Sequence, residues 1–146
     1  MKIIGIDPGK AGAIAVLDGD KLVEVVKMPP TPMDVLTFLK SHSDGIAYLE
    51  ELGGMPHMGG TSMFKLGRGY GHLEMALLAA GIRTIKVRPQ KWEKDYSLGT
   101  KGKAGGYTAW KRVLKAKAQE LFPNVKVTLV NSDALLIAWY GYKHEK

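Results

Sequence analysis

The chain has 146 residues, enough for one domain with its own hydrophobic core, and its lack of cysteine excludes disulfides and thiolate metal sites. Its 21 Lys and Arg outweigh 14 Asp and Glu, a net charge of +7, and the stretch from Arg83 to Lys126 alone holds 12 basic and 3 acidic residues. That distribution points to a polyanionic partner, nucleic acid first, and no apolar run approaches the ~20 residues needed to cross a bilayer. No basic-then-apolar leader opens the chain, so the expected location is the cytoplasm, with no membrane partner.

The first stretch, Lys2 to Ile6, is a β-branched apolar run ended by Pro8-Gly9, which predicts a buried strand delivering Asp7 at its carboxyl end. Ala13 to Leu17 and Lys21 to Met28 predict two more strands, joined by a hairpin turn at Asp18-Gly19-Asp20. After an extended Pro29-Pro30-Thr31-Pro32 link, Met33 to Lys40 reads as a short helix capped by Thr31. Gly45 to Leu52 reads as a fourth strand, and the glycine-rich segment Gly53 to Gly60 as a loop. Thr61 to Ala80 has the longest helical pattern, stopped by Gly81, and Arg83 to Val87 is a fifth strand. Pro89 to Tyr96 is a short helical turn, Ser97 to Gly106 a basic loop, and Tyr107 to Leu121 a basic helix. Asn131 to Tyr142 is the last helix, capped by Asn131 or Ser132. An antiparallel meander of three strands followed by alternating helices and strands predicts a mixed five-stranded α/β sheet with helices on both faces, the order of the ribonuclease H-like fold. Residues 1–146 form one domain in this reading.

Asp7 and Glu50 end two apolar strands, and Asp133 opens the last, mostly apolar helix. Side chains alternate along a strand, so Glu50 and Glu51 face opposite ways, and the pattern alone does not choose between them. Each acid has a plain structural alternative: Asp7 as a turn residue, Asp133 as a partner of the helix dipole. Together, three oxygen ligands on three rigid elements suit Mg²⁺ or Mn²⁺. Two such ions can activate water and stabilise the leaving oxygen of a phosphodiester.

The chain resembles the RuvC-type Holliday junction resolvases, in a compact, phage-like form. The resemblance is carried by Gly5-Ile6-Asp7-Pro8-Gly9, Tyr48-Leu49-Glu50, Lys65-Leu66-Gly67-Arg68-Gly69 and Ser132-Asp133-Ala134-Leu135. It implies catalytic and metal-binding roles for Asp7, Glu50 and Asp133, two Mg²⁺ ions (Mn²⁺ as the alternative), a homodimer, and paired nicks in a four-way junction. One departure stands out: the family's fourth ligand, three residues before the last acid, falls on Val130 here, with Asn131 beside it. The second ion would then be held by fewer ligands, by Asn131, or by another acid. The family's basic residues are matched loosely by Lys91, Lys94, Lys101 and Lys103, one of which could offset charge on the phosphate in the transition state.

Arg88 could grip a phosphate or form a rim salt bridge, and Trp92 and Trp110 read as core aromatics. His57 and His72 have no second histidine at metal spacing. The Gly53 to Gly60 loop is expected to enter the junction crossover, with Met55 or His57 as a wedge. On the long helix, Met63, Leu66, Tyr70, Leu73, Leu77 and Ala80 form one stripe. Phe64, Gly71, Met75 and Leu78 form another, read as a two-fold interface or as a face packed on the carboxyl-terminal helices. Two other classes are open. A catalytically silent junction-binding protein of the same fold is favoured only by Val130. An actin-like nucleotide-binding domain would need a second domain and a further phosphate loop, so no nucleotide cofactor is expected.

Overall fold

A computed structural model of the chain describes residues 1–53 and 57–146. Eleven elements are present among them: β1 (Lys2–Asp7), β2 (Ala13–Asp18), β3 (Lys21–Lys27), α1 (Pro32–Lys40), β4 (Ile46–Glu50), α2 (Gly60–Ala79), β5 (Arg83–Val87), α3 (Pro89–Lys94), α4 (Lys101–Ala104), α5 (Tyr107–Leu121) and α6 (Ser132–Glu145). The sheet order is β3-β2-β1-β4-β5; β1 to β3 pair antiparallel, while β4 runs parallel to both β1 and β5. The predicted mixed sheet, with its opening meander, is thus present. Edge strand β3 carries a charge at every third position, Lys21, Glu24 and Lys27, and these discourage pairing with another chain.

The two sheet faces have separate cores. Ile4, Ile6, Val16, Ala47 and Leu49 pack with α1 and α2, while Ile3, Ala15, Leu17 and Tyr48 pack with α5 and α6. Helix α1 starts where expected: the Thr31 hydroxyl accepts the Asp34 N–H at 3.1 Å, and Pro32 fills the first turn, where no N–H is needed. Helix α5 buries only Trp110, Leu114 and Ala118, one stripe at a spacing of four. Helix α6 is buried from Ala134 to Ala138 because it lies between the sheet and α5.

Four local expectations need correction. The basic loop from Ser97 to Gly106 contains the short helix α4, whose amino end is capped by the Thr100 hydroxyl and whose carboxyl end is closed by Gly105 at φ 109°. Strand β4 stops at Glu50 rather than Leu52. Asn131 does stand before α6, but its side chain turns back: Oδ1 accepts the Thr128 N–H at 2.8 Å and Nδ2 donates to the Lys126 carbonyl. Phe64, Met75 and Leu78 are exposed, so their stripe does not pack on the carboxyl-terminal helices.

Gly5 sets the distance between α6 and the sheet. A Cβ there would overlap the backbone of Ala134 and Ala138. Gly5→Ala is therefore expected to lose about 1–3 kcal/mol in urea unfolding, the range for overpacked sites. An unchanged midpoint would mean that α6 can move away from β1 freely.

Candidate active site

Side-chain alternation fixes which acids meet. Ile3 and Tyr48 face α6, and Asp7 and Glu50 follow in the same phase of their strands. Glu51 emerges on the other face, where its carboxylate pairs with Arg88 Nε at 3.5 Å. The first turn of α6 brings Asp133 over the carboxyl ends of β1 and β4.

Electrostatics record this meeting. Asp7 is pushed up to about 8, first by burial, then by the carboxylates of Asp133 and Glu50, with Lys111 pulling the other way. Glu50 is pushed up to about 7, again chiefly by burial. The indole N–H of Trp92 opposes that rise by donating to Glu50 Oε2 at 2.8 Å, while Asp133 and Glu93 add to it. Trp92 is fully buried, as read, yet its polar atom holds a site carboxylate in place.

The cation among these acids is Lys111 on α5. Its ammonium donates to Asp133 Oδ2 at 2.7 Å, with the two side chains only 17% and 13% exposed. Burial disfavours the charged lysine, but Asp133 outweighs it through charge and hydrogen bond, so the Lys111 pKa is raised. None of the four lysines singled out from sequence occupies this place. Lys91 and Lys94 line a cleft of about 820 Å³ with Glu50 and Arg88, Lys101 lies over the Tyr107 ring, and Lys103 is exposed. Sequence offered one faint sign of Lys111: it adjoins Trp110, the first buried position of an otherwise basic helix.

A fourth acid, Glu93 on α3, also belongs to this neighbourhood. Its pKa is raised chiefly by burial, and Asp133 adds to the rise, while the Trp110 indole, Lys101 and Lys111 lower it. The amide of Asn131 is committed to its loop and is not a free ligand. Of the wedge candidates, Met55 lies outside the described residues and His57 is exposed.

The donor set fits a hard divalent cation. It consists of carboxylate oxygens on rigid elements, and Asp133 Oδ1 is buried without a hydrogen-bond partner. Among the described residues no three His, Asp or Glu side chains are already drawn into a cage, and Lys111 supplies the compensating charge instead.

Both raised carboxyls have folded pKa values above their ordinary 3.8 and 4.5. Such groups favour the fold at low pH and lose that contribution as pH rises through the folded value. In chelator, the melting temperature is expected to fall between about pH 4 and pH 8, and Asp7→Asn should flatten the fall. Mg²⁺ should restore most of the loss at pH 8. A wild-type profile as flat as that of Asp7→Asn would show that burial and the neighbouring acids do not raise the Asp7 carboxyl.

Comparison with known proteins bears on the fold. No family model matches the chain, and no curated protein sequence does. Among solved structures, RuvC from Thermus thermophilus superposes with a TM-score of 0.69 at 21% identity, covering 99% of this chain and 96% of that one. T. thermophilus RuvC in complex with a Holliday junction substrate gives the same TM-score and coverage at 18% identity. Over its whole length, then, this chain has the fold of RuvC, a ribonuclease H-like sheet with helices on both faces.

Proposed function

We propose that this protein is a divalent-metal-dependent endonuclease that resolves four-way DNA junctions by paired nicks, acting as a homodimer. The observation that carries this reading is the convergence of Asp7, Glu50 and Asp133 with Lys111 at the carboxyl ends of β1 and β4, on a fold shared with RuvC. Asp7, Glu50 and Asp133 would hold Mg²⁺ or Mn²⁺, and Glu93, whose pKa Asp133 helps to raise, would take the part that Val130 cannot. When bound, the ions lower the pKa of water and offset charge on the phosphodiester.

The chain's own groups do the rest. Trp92 keeps Glu50 in one rotamer, so the site needs little rearrangement when substrate arrives. Lys111 can turn from Asp133 to a non-bridging phosphate oxygen, where its charge opposes the build-up of negative charge. Arg88, Lys91 and Lys94, lining the cleft beside Glu50, suit the backbone of an incoming strand. Asp7→Asn or Asp133→Asn should reduce junction cleavage by more than about a hundredfold, since even residues that merely support metal ligands cost ~10–100-fold. Junction affinity should be retained or increased, because basic side chains supply most of it. Glu51→Gln should be nearly neutral. A folded Asp7→Asn variant that loses binding along with cleavage would defeat the assignment. A wild type that binds junctions but never nicks them with Mg²⁺ or Mn²⁺ would favour the silent binder.

The dimer is read from α2. Phe64, Met75 and Leu78 are 69%, 62% and 73% exposed on one stripe, with Gly67 and Gly71 between them and open space at both glycines. Large side chains flanking small ones let two helix backbones approach closely, and a second copy of this stripe would cover the patch. In sedimentation, a Phe64→Glu/Leu78→Glu variant is expected to be monomeric and to lose coupling between the two nicks. A folded variant that stays dimeric and still nicks in pairs would move the interface elsewhere.

A further inference from the structure

A second cavity opens at the same end of the sheet, on the face opposite the acids. It measures about 650 Å³ and lies between the Gly9-Lys10 turn, the Met28 to Pro32 link and the amino-terminal half of α2. Small-ligand sites span roughly 300–1,000 Å³. Met28, Pro30, Leu66 and Leu73 give it apolar walls, and Lys10, Lys65 and His72 are the ionisable groups on its rim. No described lining residue is acidic, and among the described residues neither lysine pairs with a carboxylate.

Gly69 also lines this cavity. It stands in the interior of a twenty-residue helix, where glycine is among the poorest choices. A Cβ there would meet nothing within 4 Å among the described residues, so their packing does not require glycine. A flat group lying against the helix would require it. The cavity also follows directly from the active-site strand, because Gly9 and Lys10 form the turn after Asp7.

We propose that this cavity receives one unpaired nucleotide of the branched DNA, its base between the apolar walls and over Gly69, its phosphate at Lys10 and Lys65. The proposal rests on the reading of the protein as a junction nuclease. Each part of the ligand matches a part of the cavity: a base has flat apolar faces, and a phosphate is an anion. A base paired within a duplex cannot enter, so the cavity favours a branch point over linear DNA.

The test measures binding without cutting, in chelator, by fluorescence anisotropy of a labelled four-way junction and a linear duplex. Gly69→Leu projects a side chain into the cavity and suits a helix. Its preference for junction over duplex is expected to fall about tenfold. Abasic nucleotides at the branch should cost the wild type the same factor and cost Gly69→Leu nothing more. Lys10→Ala, in an exposed turn, is the second variant and should also lose preference. Wild-type preference in a folded Gly69→Leu, or losses that multiply, would overturn the proposal. So would saturable binding of free deoxyadenosine monophosphate that Gly69→Leu abolishes while junction preference stays intact, since the ligand would then be a free nucleotide. Mg²⁺-dependent nicking separates the two readings. If the wild type cuts junctions and Gly69→Leu keeps full preference, only the cavity assignment falls; if the wild type neither prefers nor nicks junctions, both fall.

Discussion

The close approach of α6 to β1 at Gly5 is the contact on which the site depends. Strand and helix backbones meet there with no side chain between them, and one turn further along the same helix face Gly141 makes room for the side chains of Ile3 and Tyr48. Two glycines in different elements hold α6 flat on the sheet, and its apolar sequence keeps it there, covered by α5. Only with the helix at that depth does its first turn place Asp133 over the strand ends that carry Asp7 and Glu50. A helix held one side chain further away would take Asp133 from Asp7 and Glu50 and leave both less buried. The raised Asp7 and Glu50 carboxyls are the electrostatic signature of that packing.

The group so formed is unfavourable unless something positive joins it. Burial and mutual repulsion act on the acids in the same direction, and half-buried Lys111 is the cation among the described residues that opposes them at Asp7 and Glu50. Lys111 comes from α5, which packs on α6, so the compensating charge arrives by the same packing that creates the need for it. One oxygen of Asp133 is taken by that lysine and the other is buried without a partner, an arrangement suited to an added cation. Trp92 works differently. Its ring belongs to the core while its N–H fixes Glu50, so α3 sets the geometry of an acid on β4 without adding charge.

Most of the fold was legible because its elements have strong local periods. Buried two-fold alternation, a glycine turn and a Thr-Pro start each have one ready structural interpretation. Alternation also put Glu50 and Glu51 on opposite faces, and the structure shows Glu51 on the α2 side with Arg88. It could not tell which face held the site; that choice came from resemblance. Lys111 was illegible for another reason. It stands in a helix that also carries Arg112, Lys115 and Lys117; Lys115 and Lys117 are half-buried as well, and only its place beside Trp110 sets it apart. Glu93 was hidden likewise, beside a tryptophan read only as core. Asn131 stands at a cap position, as Ser132 does beside it, yet its side chain closes the preceding turn, a competition between two local hydrogen bonds that composition does not resolve.

Helix α2 shows the opposite conflict, strong local cost with little return inside the chain. Its only buried residues are Leu73, Ala76 and Leu77, all in its second half. The first half contains Gly67 and Gly69, and Gly71 follows at once; each glycine costs about 1 kcal/mol relative to alanine in a helix interior. At about 100° per residue these glycines divide between two surfaces. Gly67 and Gly71 lie with Phe64, Met75 and Leu78, and Gly69 lies with Leu66 and Leu73 on the cavity. Among the described residues nothing lies within 4 Å of a Cβ at any of the three, so no described contact explains them. The two surfaces lie on opposite sides of one helix. A partner helix on one side and a nucleotide on the other are the contacts proposed for these two surfaces.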